Sequence, residues 1–266
     1  MRSDDSGPRT REAVTIRRLD PQDWPAVVKI LDATYGPSTA RATLYEHWNL
    51  LCPVAESAFV VAEVGGRVVG AQPMLIHEWV EGEAPLRGAV LTGVVVDPEY
   101  RRRGLFTALV RACEREAEGA GAAFVITMPN ERSRPGFLRL GWSDLGRRNL
   151  FARPAAFSEA AGSGATALEE APQEVEDLAG RHRAYFGGLS LRRTAAWWRW
   201  RFAGLTGRRY IQVVARDVSG RAVGLAAGAV RASGGIPVGY LVDVLASDRC
   251  SLVRVARHLV RALAAA

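Results

Sequence analysis

One lysine, Lys29, stands in a chain of 266 residues, so the formal charge of +7 is carried by arginine. Those arginines are scattered through every helical stretch, which reads as compositional bias and argues against a dedicated polyanion-binding face. Cysteine is equally sparse. Cys52, Cys113 and Cys250 are far apart, and none has a Cys or His neighbour at metal-ligand spacing, so no metal is expected and all three read as small buried apolar residues. No run approaches the roughly 18 apolar residues of a membrane span. The opening MRSDDSGPRTRE has no apolar signal core either, which makes the cytoplasm the expected compartment. What is present, 48% apolar and 24% charged residues, suits a globular protein long enough for two cores.

Along the chain, VTIRRL reads as a strand. DPQDWPAVVKILDATYG is a helix capped by Asp20, and a second amphipathic helix runs from Ser38 to about Leu51. A meander of three strands is expected next: SAFVVAEV, RVVGAQPMLIHEWV after the Gly65–Gly66 turn, and LRGAVLTGVVV. LFTALVRACEREAEGAG returns to helical spacing, with Leu105, Leu109, Ala112 and Cys113 on one face. AAFVITM is a strand, SRPGFLRLGW a brief helix, and WSDLGRRNLFARP a last strand. The order β α α β β β α β α β is that of a mixed α/β layered domain. It is expected to occupy residues 1–153. Residues 154–172 lack apolar periodicity and read as a linker, and 173–266 form a second domain with the aromatic cluster AAWWRWRF at its start. QVVARDVSGRAVGL in that second half echoes FVVAEVGGRVVGA in the first, each followed by a strand and an amphipathic helix, so the second half reads as a diverged, partial copy. Trp197, Trp198 and Trp200 are expected in its core rather than as a stacking platform.

Between strand and helix lies VVVDPEYRRRGLFTALV. A loop that opens a helix leaves the first helical N–H groups unpaired at the positive end of the helix dipole, which makes an anion site. Gly104 removes a Cβ where backbone and anion must approach, and Arg101, Arg102 and Arg103 add charge. A diphosphate can use several consecutive amides at once, so it suits this loop better than a single carboxylate.

The segment resembles the acetyl-CoA-binding motif of the GNAT (Gcn5-related N-acetyltransferase) superfamily. Val96, Pro98, Arg101 and Gly104 match its pattern, while Phe106 stands where the motif has a small residue. NERSRPGFLRLGW resembles a second block of the family, with Asn130, Ser133, Phe137, Gly141 and Trp142 in the corresponding places. The resemblance covers about residues 14–153. It implies the GNAT fold, a mostly antiparallel central sheet flanked by helices, followed here by a second partial GNAT-like α/β domain. It also implies acetyl-CoA as cofactor, held by Val94, Val95, Val96, Arg101, Arg102, Arg103, Gly104, Leu105, Phe106, Thr107, Asn130, Ser133 and Phe137. Asp97 and Tyr100 read as loop-shaping. Asn130 either caps the short helix or meets the pantetheine arm.

Acetyl transfer needs an amine stripped of its proton and a polarised thioester carbonyl. The resemblance assigns the second task to backbone N–H groups around Val94 to Val96. Side chains for the first are not evident, because the family's tyrosine acid falls at Phe137 and the strand that carries a glutamate base in relatives offers Thr92. His77 and Glu78 are the remaining candidates, and an edge-strand surface position is the commoner fate of such a histidine. Asp243 and Tyr240 either bind a cationic acceptor or are ordinary strand residues. The expected activity is N-acetylation of a primary amine on a small molecule by direct transfer, with a non-catalytic acyl-CoA-binding or regulatory module as the alternative. An arginine-rich nucleic-acid binder is a third reading, one that predicts salt-steep DNA affinity indifferent to CoA.

Overall fold

Residues 13–146, 165–167, 173–202, 209–233 and 235–266 are described by a computed structural model. They divide between two units: one takes the chain to Leu50, Glu56–Ile76 and Gly88–Asp144, the other Leu51–Ala55, His77–Arg87 and the chain from Leu145. The boundary expected at residue 153 lies outside the described residues.

The first unit opens with β1 (Val14–Arg18), α1 (Trp24–Tyr35) and α2 (Thr39–Leu50). Asp20 accepts from Gln22 N while Asp23 reaches back to Asp20 N, a reciprocal cap that starts the turn leading into α1. Then come β2 (Ala55–Ser57), β3 (Val60–Val64), β4 (Arg67–Gln72), β5 (Met74–Glu81), β6 (Ala84–Leu91), β7 (Val95–Val96), α3 (Leu105–Gly119), β8 (Phe124–Thr127) and α4 (Arg134–Arg139). Alternation along β3 sorts the core. Val60, Ala62 and Val64 pack with Leu105, Leu109 and Cys113 of α3, whereas Phe59 and Val61 pack with Val27, Ile30 and Leu31 of α1. Leu109 is fully buried, which contributes about 1.5–3 kcal/mol.

Two of the expected strands are each broken in two. Pro73 has no N–H to give a ladder, so the strand over 67–80 divides into β4 and β5. The strand over 86–96 divides at 92–94. Its first part, β6, runs parallel to β8 from Gly88↔Phe124 to Leu91↔Thr127, while β7 pairs antiparallel with β4 through Gly70↔Val96 and Ala71↔Val95. The two halves of one stretch thus join different partners, and the sheet opens where they part. The last expected strand, 142–154, is not formed over 142–146, and the rest lies outside the described residues. Side chains anchor the chain there instead: Trp142 Nε1 donates to Glu114, and Arg134 pairs with Asp144.

The second unit contains the tip of the β5–β6 hairpin, β9 (Ala165–Ala167), α5 (Val175–Phe186), β10 (Leu189–Leu191), α6 (Ala195–Phe202), β11 (Ile211–Arg216), β12 (Ala222–Ser233), β13 (Ile236–Ala246) and α7 (Arg249–Ala264). Within the stretch expected as a linker, Ala165–Ala167 pair antiparallel with Val213–Ala215, and the remainder lies outside the described residues. The sheet order is β13-β12-β11-β9, and α7 lays Val255, Leu259 and Leu263 on Val213, Ala215 and Ala226. Trp197 and Trp198 are buried, and Trp198 Nε1 donates to Gln212 Oε1 at 2.6 Å, so the aromatic cluster serves the core. Cys52 and Cys113 are buried as expected, but Cys250 is exposed because the first turn of α7 turns it outward.

At the bulge in β12, a Cβ on Gly228 would sit 2.6 Å from the Tyr240 carbonyl oxygen and 2.9 Å from Leu263 Cδ1. Backbone cannot yield as a side-chain tip does. Gly228→Ala is therefore expected to destabilise the protein by about 1–3 kcal/mol, read as a lowered urea midpoint; an unchanged midpoint contradicts that packing.

Candidate active site

A cleft of about 680 Å3 opens in the first unit, where β6 and β7 part. Of the residues expected to hold the cofactor, Val94, Val95, Val96, Arg101, Arg102, Gly104, Leu105, Phe106, Asn130, Ser133 and Phe137 line it. Arg103 and Thr107 do not. The Arg103 guanidinium folds back over the loop, donating to the Glu99 carbonyl and lying 4.6 Å from the Tyr100 ring centre. Thr107 is carried away from the opening by the helical turn it belongs to.

The loop leaves unpaired N–H groups and open space at the head of α3. Its ends are pinned by Asp97, which is 7% exposed, accepts from Glu99 N at 3.0 Å and takes Arg67 Nη2 at 2.9 Å. The guanidiniums of Arg67 and Arg103 both lie over the Tyr100 ring, 5.7 and 4.6 Å from its centre. Asp97 and Tyr100 thus shape the loop. Arg102 and Gly104 both take positive φ, 62° and 83°. For arginine that costs roughly 1 kcal/mol, and a strained residue beside a cleft points to use. Gly104 is the N-cap of α3 and has no side chain to cap it, so the first amides of the helix await an acceptor. A Cβ on Gly104 would meet nothing within 4 Å, which leaves the approach clear.

Register decides which amides of the strand can act. Asp97 N donates to Val69 O at 2.9 Å, so by two-residue alternation Val95 also spends its N–H on β4, and that of Val96 turns toward the opening. The Val96 carbonyl on that side takes Arg101 Nε at 3.2 Å. Among the three valines, alternation turns the Val96 N–H to the cleft, Val94 lies in the kink outside the ladder, and Val95 buries its side chain in the core.

Phe106 breaks the small-residue pattern of the motif without filling the cradle. Its ring packs on Gly136, where a Cβ would lie 2.7 Å from it, and sits edge-on to Phe137 at 5.1 Å. Phe137 is buried against Trp142 as well, and it has no hydroxyl for proton transfer. Asn130 closes the turn ahead of α4, where its Oδ1 accepts from Arg132 N and Ser133 N at 3.0 and 2.9 Å, and it also lines the cleft.

The side-chain candidates for chemistry fare poorly. His77 is not an exposed edge residue, because it is 7% exposed, and burial pushes its pKa down to about 4. Such an imidazole is a weak proton acceptor at neutral pH. Neither it nor Glu78 lines the cleft, and Glu78 is bound to Arg192 at 2.5 Å. Asp243 is likewise committed, to Arg193 through two contacts of 2.9 and 3.1 Å. Thr92 does line the cleft, but its hydroxyl donates to Asn49 Oδ1 at 2.6 Å, and Asn49 is buried. Thr92→Val is therefore expected to cost about 1–3 kcal/mol of stability by leaving that acceptor unmet, with turnover per folded molecule largely kept. Denaturation and steady-state rates measured together check this; loss of turnover at full stability contradicts it.

Sequence reasoning missed Thr34, Tyr35, Gln72, Met128, Pro129 and Arg132, all of which line the cleft. Gln72 is the most informative of them. It is 1% exposed, its Nε2 donates to the carbonyls of Thr92 and Pro73, and its Oε1 has no partner. A glutamine closing an apolar run just before proline was the available signal. Tyr45 OH donates to Gly93 O at 2.6 Å, so Gln72 and Tyr45 together hold the 92–94 kink from both sides.

Residues 15–144 match the family of acetyltransferase (GNAT) domains, and this part of the chain belongs to that family. A probable N-acyltransferase of unknown function from Enterococcus faecalis superposes with a TM-score of 0.68 at 13% identity, over 94% of this chain and 62% of that one. That likeness is one of fold alone. Glucosamine-6-phosphate N-acetyltransferase from Arabidopsis thaliana is similar over 53% of this chain and 99% of its own, at 15% identity and a TM-score of 0.44. An aminoglycoside N-acetyltransferase, AAC(6')-Iy, in complex with CoA is similar over 56% and 99%, at 18% identity and a TM-score of 0.45. No curated protein matches the sequence. Among the described residues, no helix is long and apolar enough to cross a membrane, and no group of three or more His, Cys, Asp or Glu could hold a metal.

Proposed function

We propose that the chain is an acetyl-CoA-dependent N-acetyltransferase that moves an acetyl group directly to a primary amine of a small molecule. The observation that carries this reading is the uncapped, left-handed Gly104 at the head of α3, beside Arg101 and Arg102 and facing a clear approach. These groups suit a diphosphate: consecutive N–H donors, a favourable helix dipole and two guanidiniums. When bound, acetyl-CoA supplies the activated acyl group. The N–H groups of Val96 and Val94 polarise its carbonyl, and Gln72 and Tyr45 hold the kink that aims them. Among the described residues lining the cleft there is no carboxylate, imidazole or thiol, so the amine proton leaves through water. The cytoplasm fits a reaction that draws on acetyl-CoA, and a partial GNAT-like copy in the second half fits the echo between the halves.

A non-catalytic acyl-CoA-binding or regulatory module is the alternative, favoured by Phe137 and by that lack of titratable groups. CoA release from acetyl-CoA with a panel of primary amines distinguishes them. Turnover that disappears in Gly104→Val supports the enzyme, while tight CoA binding with no turnover on any amine supports the module.

A further inference from the structure

A second hollow, about 370 Å3, lies within the second unit, and six of the residues lining it are charged. Two of its guanidiniums are already neutralised. Arg192 binds Glu78 both through its side chain at 2.5 Å and through its N–H to the Glu78 carbonyl at 3.0 Å. Arg193 holds Asp243 and lies 5.7 Å from the Trp197 ring centre. Arg183, Glu83 and Glu176 are left with no ion pair or hydrogen bond of their side chains among the described residues. The Nε of Arg183 is also buried without a partner.

A desolvated guanidinium N–H with no acceptor costs more than a neutral donor in the same state. Glu176 and Arg183 are seven residues apart on α5, hence on one helix face and about 10 Å apart along its axis. The hollow therefore offers a guanidinium with an unpaired Nε–H together with exposed carboxylates at Glu176 and Glu83, Glu176 also lying close enough to Arg192 to favour its charge, and Val80 and Pro85 complete the wall. A simple anion would satisfy Arg183 but face two carboxylates. A simple amine would leave Arg183 unmet. We propose that this hollow binds a small zwitterion of amino-acid size, its carboxylate on Arg183 and its ammonium on Glu176 and Glu83. This site is separate from the acetyl-transfer reading and stands whether or not that reading does.

Calorimetry on the full chain tests it with β-alanine, 4-aminobutyrate and L-glutamine, set against butyrate and butylamine, which carry one charge each. At least one zwitterion is expected to bind one-to-one, with both single-charge compounds weaker by at least about tenfold. Arg183→Gln and, separately, Glu176→Gln are expected to weaken that binding by a similar factor. The melting temperature and the heat of CoA binding report whether each variant is folded, and Glu83→Gln, at an exposed turn, replaces either variant that is not. No heat from any of the three zwitterions, equal binding of butyrate or butylamine, or unchanged affinity in the folded variants overturns the proposal.

Discussion

Gly104→Val is expected to weaken binding of acetyl-CoA by about 100-fold or more while leaving the rest of the domain folded. Two effects act together. At φ 83° a β-branched residue is strained, by at least about 1–2 kcal/mol, and relieving that strain swings the first amides of α3 away from the cleft. The added methyl groups also stand on the side from which the anion must come, where nothing now lies within 4 Å. Because no protein atom opposes them, the loss falls on the ligand more than on the core. Arg103→Ala is the matched control: its side chain is turned onto Tyr100, so affinity should fall far less than in Arg102→Ala. Isothermal titration of the three variants measures the difference. Equal losses at 102 and 103, or undiminished affinity in Gly104→Val, contradict the assignment of the loop.

Turnover is expected to climb with pH without an enzyme-derived break. The described lining of the cleft holds no carboxylate, imidazole or thiol. His77, buried and neutral down to about pH 4, does not line it. The reactive fraction of a primary amine of pKa about 10.4 grows about tenfold per pH unit below that value. The slope of log kcat/KM should therefore be close to one over that range, shifting in step with the pKa of the amine supplied. A profile that levels off at the same pH for amines of different basicity shows that a protein group accepts the proton, and it contradicts water-borne deprotonation.

The loop ahead of α3 was legible because its signal is local: Pro98, Arg101 and Gly104 lie within seven residues and shape one turn. Consecutive residues in such a turn diverge, however, and composition alone could not tell that Arg103 folds back where Arg102 does not. The elements of the first unit were legible from periodicity, except where Pro73 cut one strand, the 92–94 kink cut another, and the strand expected from 142 did not form over 142–146. Both cuts matter, since they make the opening. Gln72, Thr34 and Tyr35 could not be placed from spacing, because only the pairing of β4 with β7 and the end of α1 bring them to residues far along the chain. Phe106 conflicted with its motif until the ring was seen against Gly136, a compensation 30 residues away. His77 was misjudged for a related reason. A polar residue late in a strand reads as surface, and its burial depends on contacts that no local pattern announces.

The central claim is tested most directly by a crystal structure of the full chain grown with acetyl-CoA. Diphosphate oxygens within hydrogen-bonding distance of the backbone N–H groups of Gly104, Leu105 and Phe106, with the thioester carbonyl at the Val96 amide, are the predicted result. A nucleotide held elsewhere on the protein, with α3 still uncapped, is the result that contradicts it.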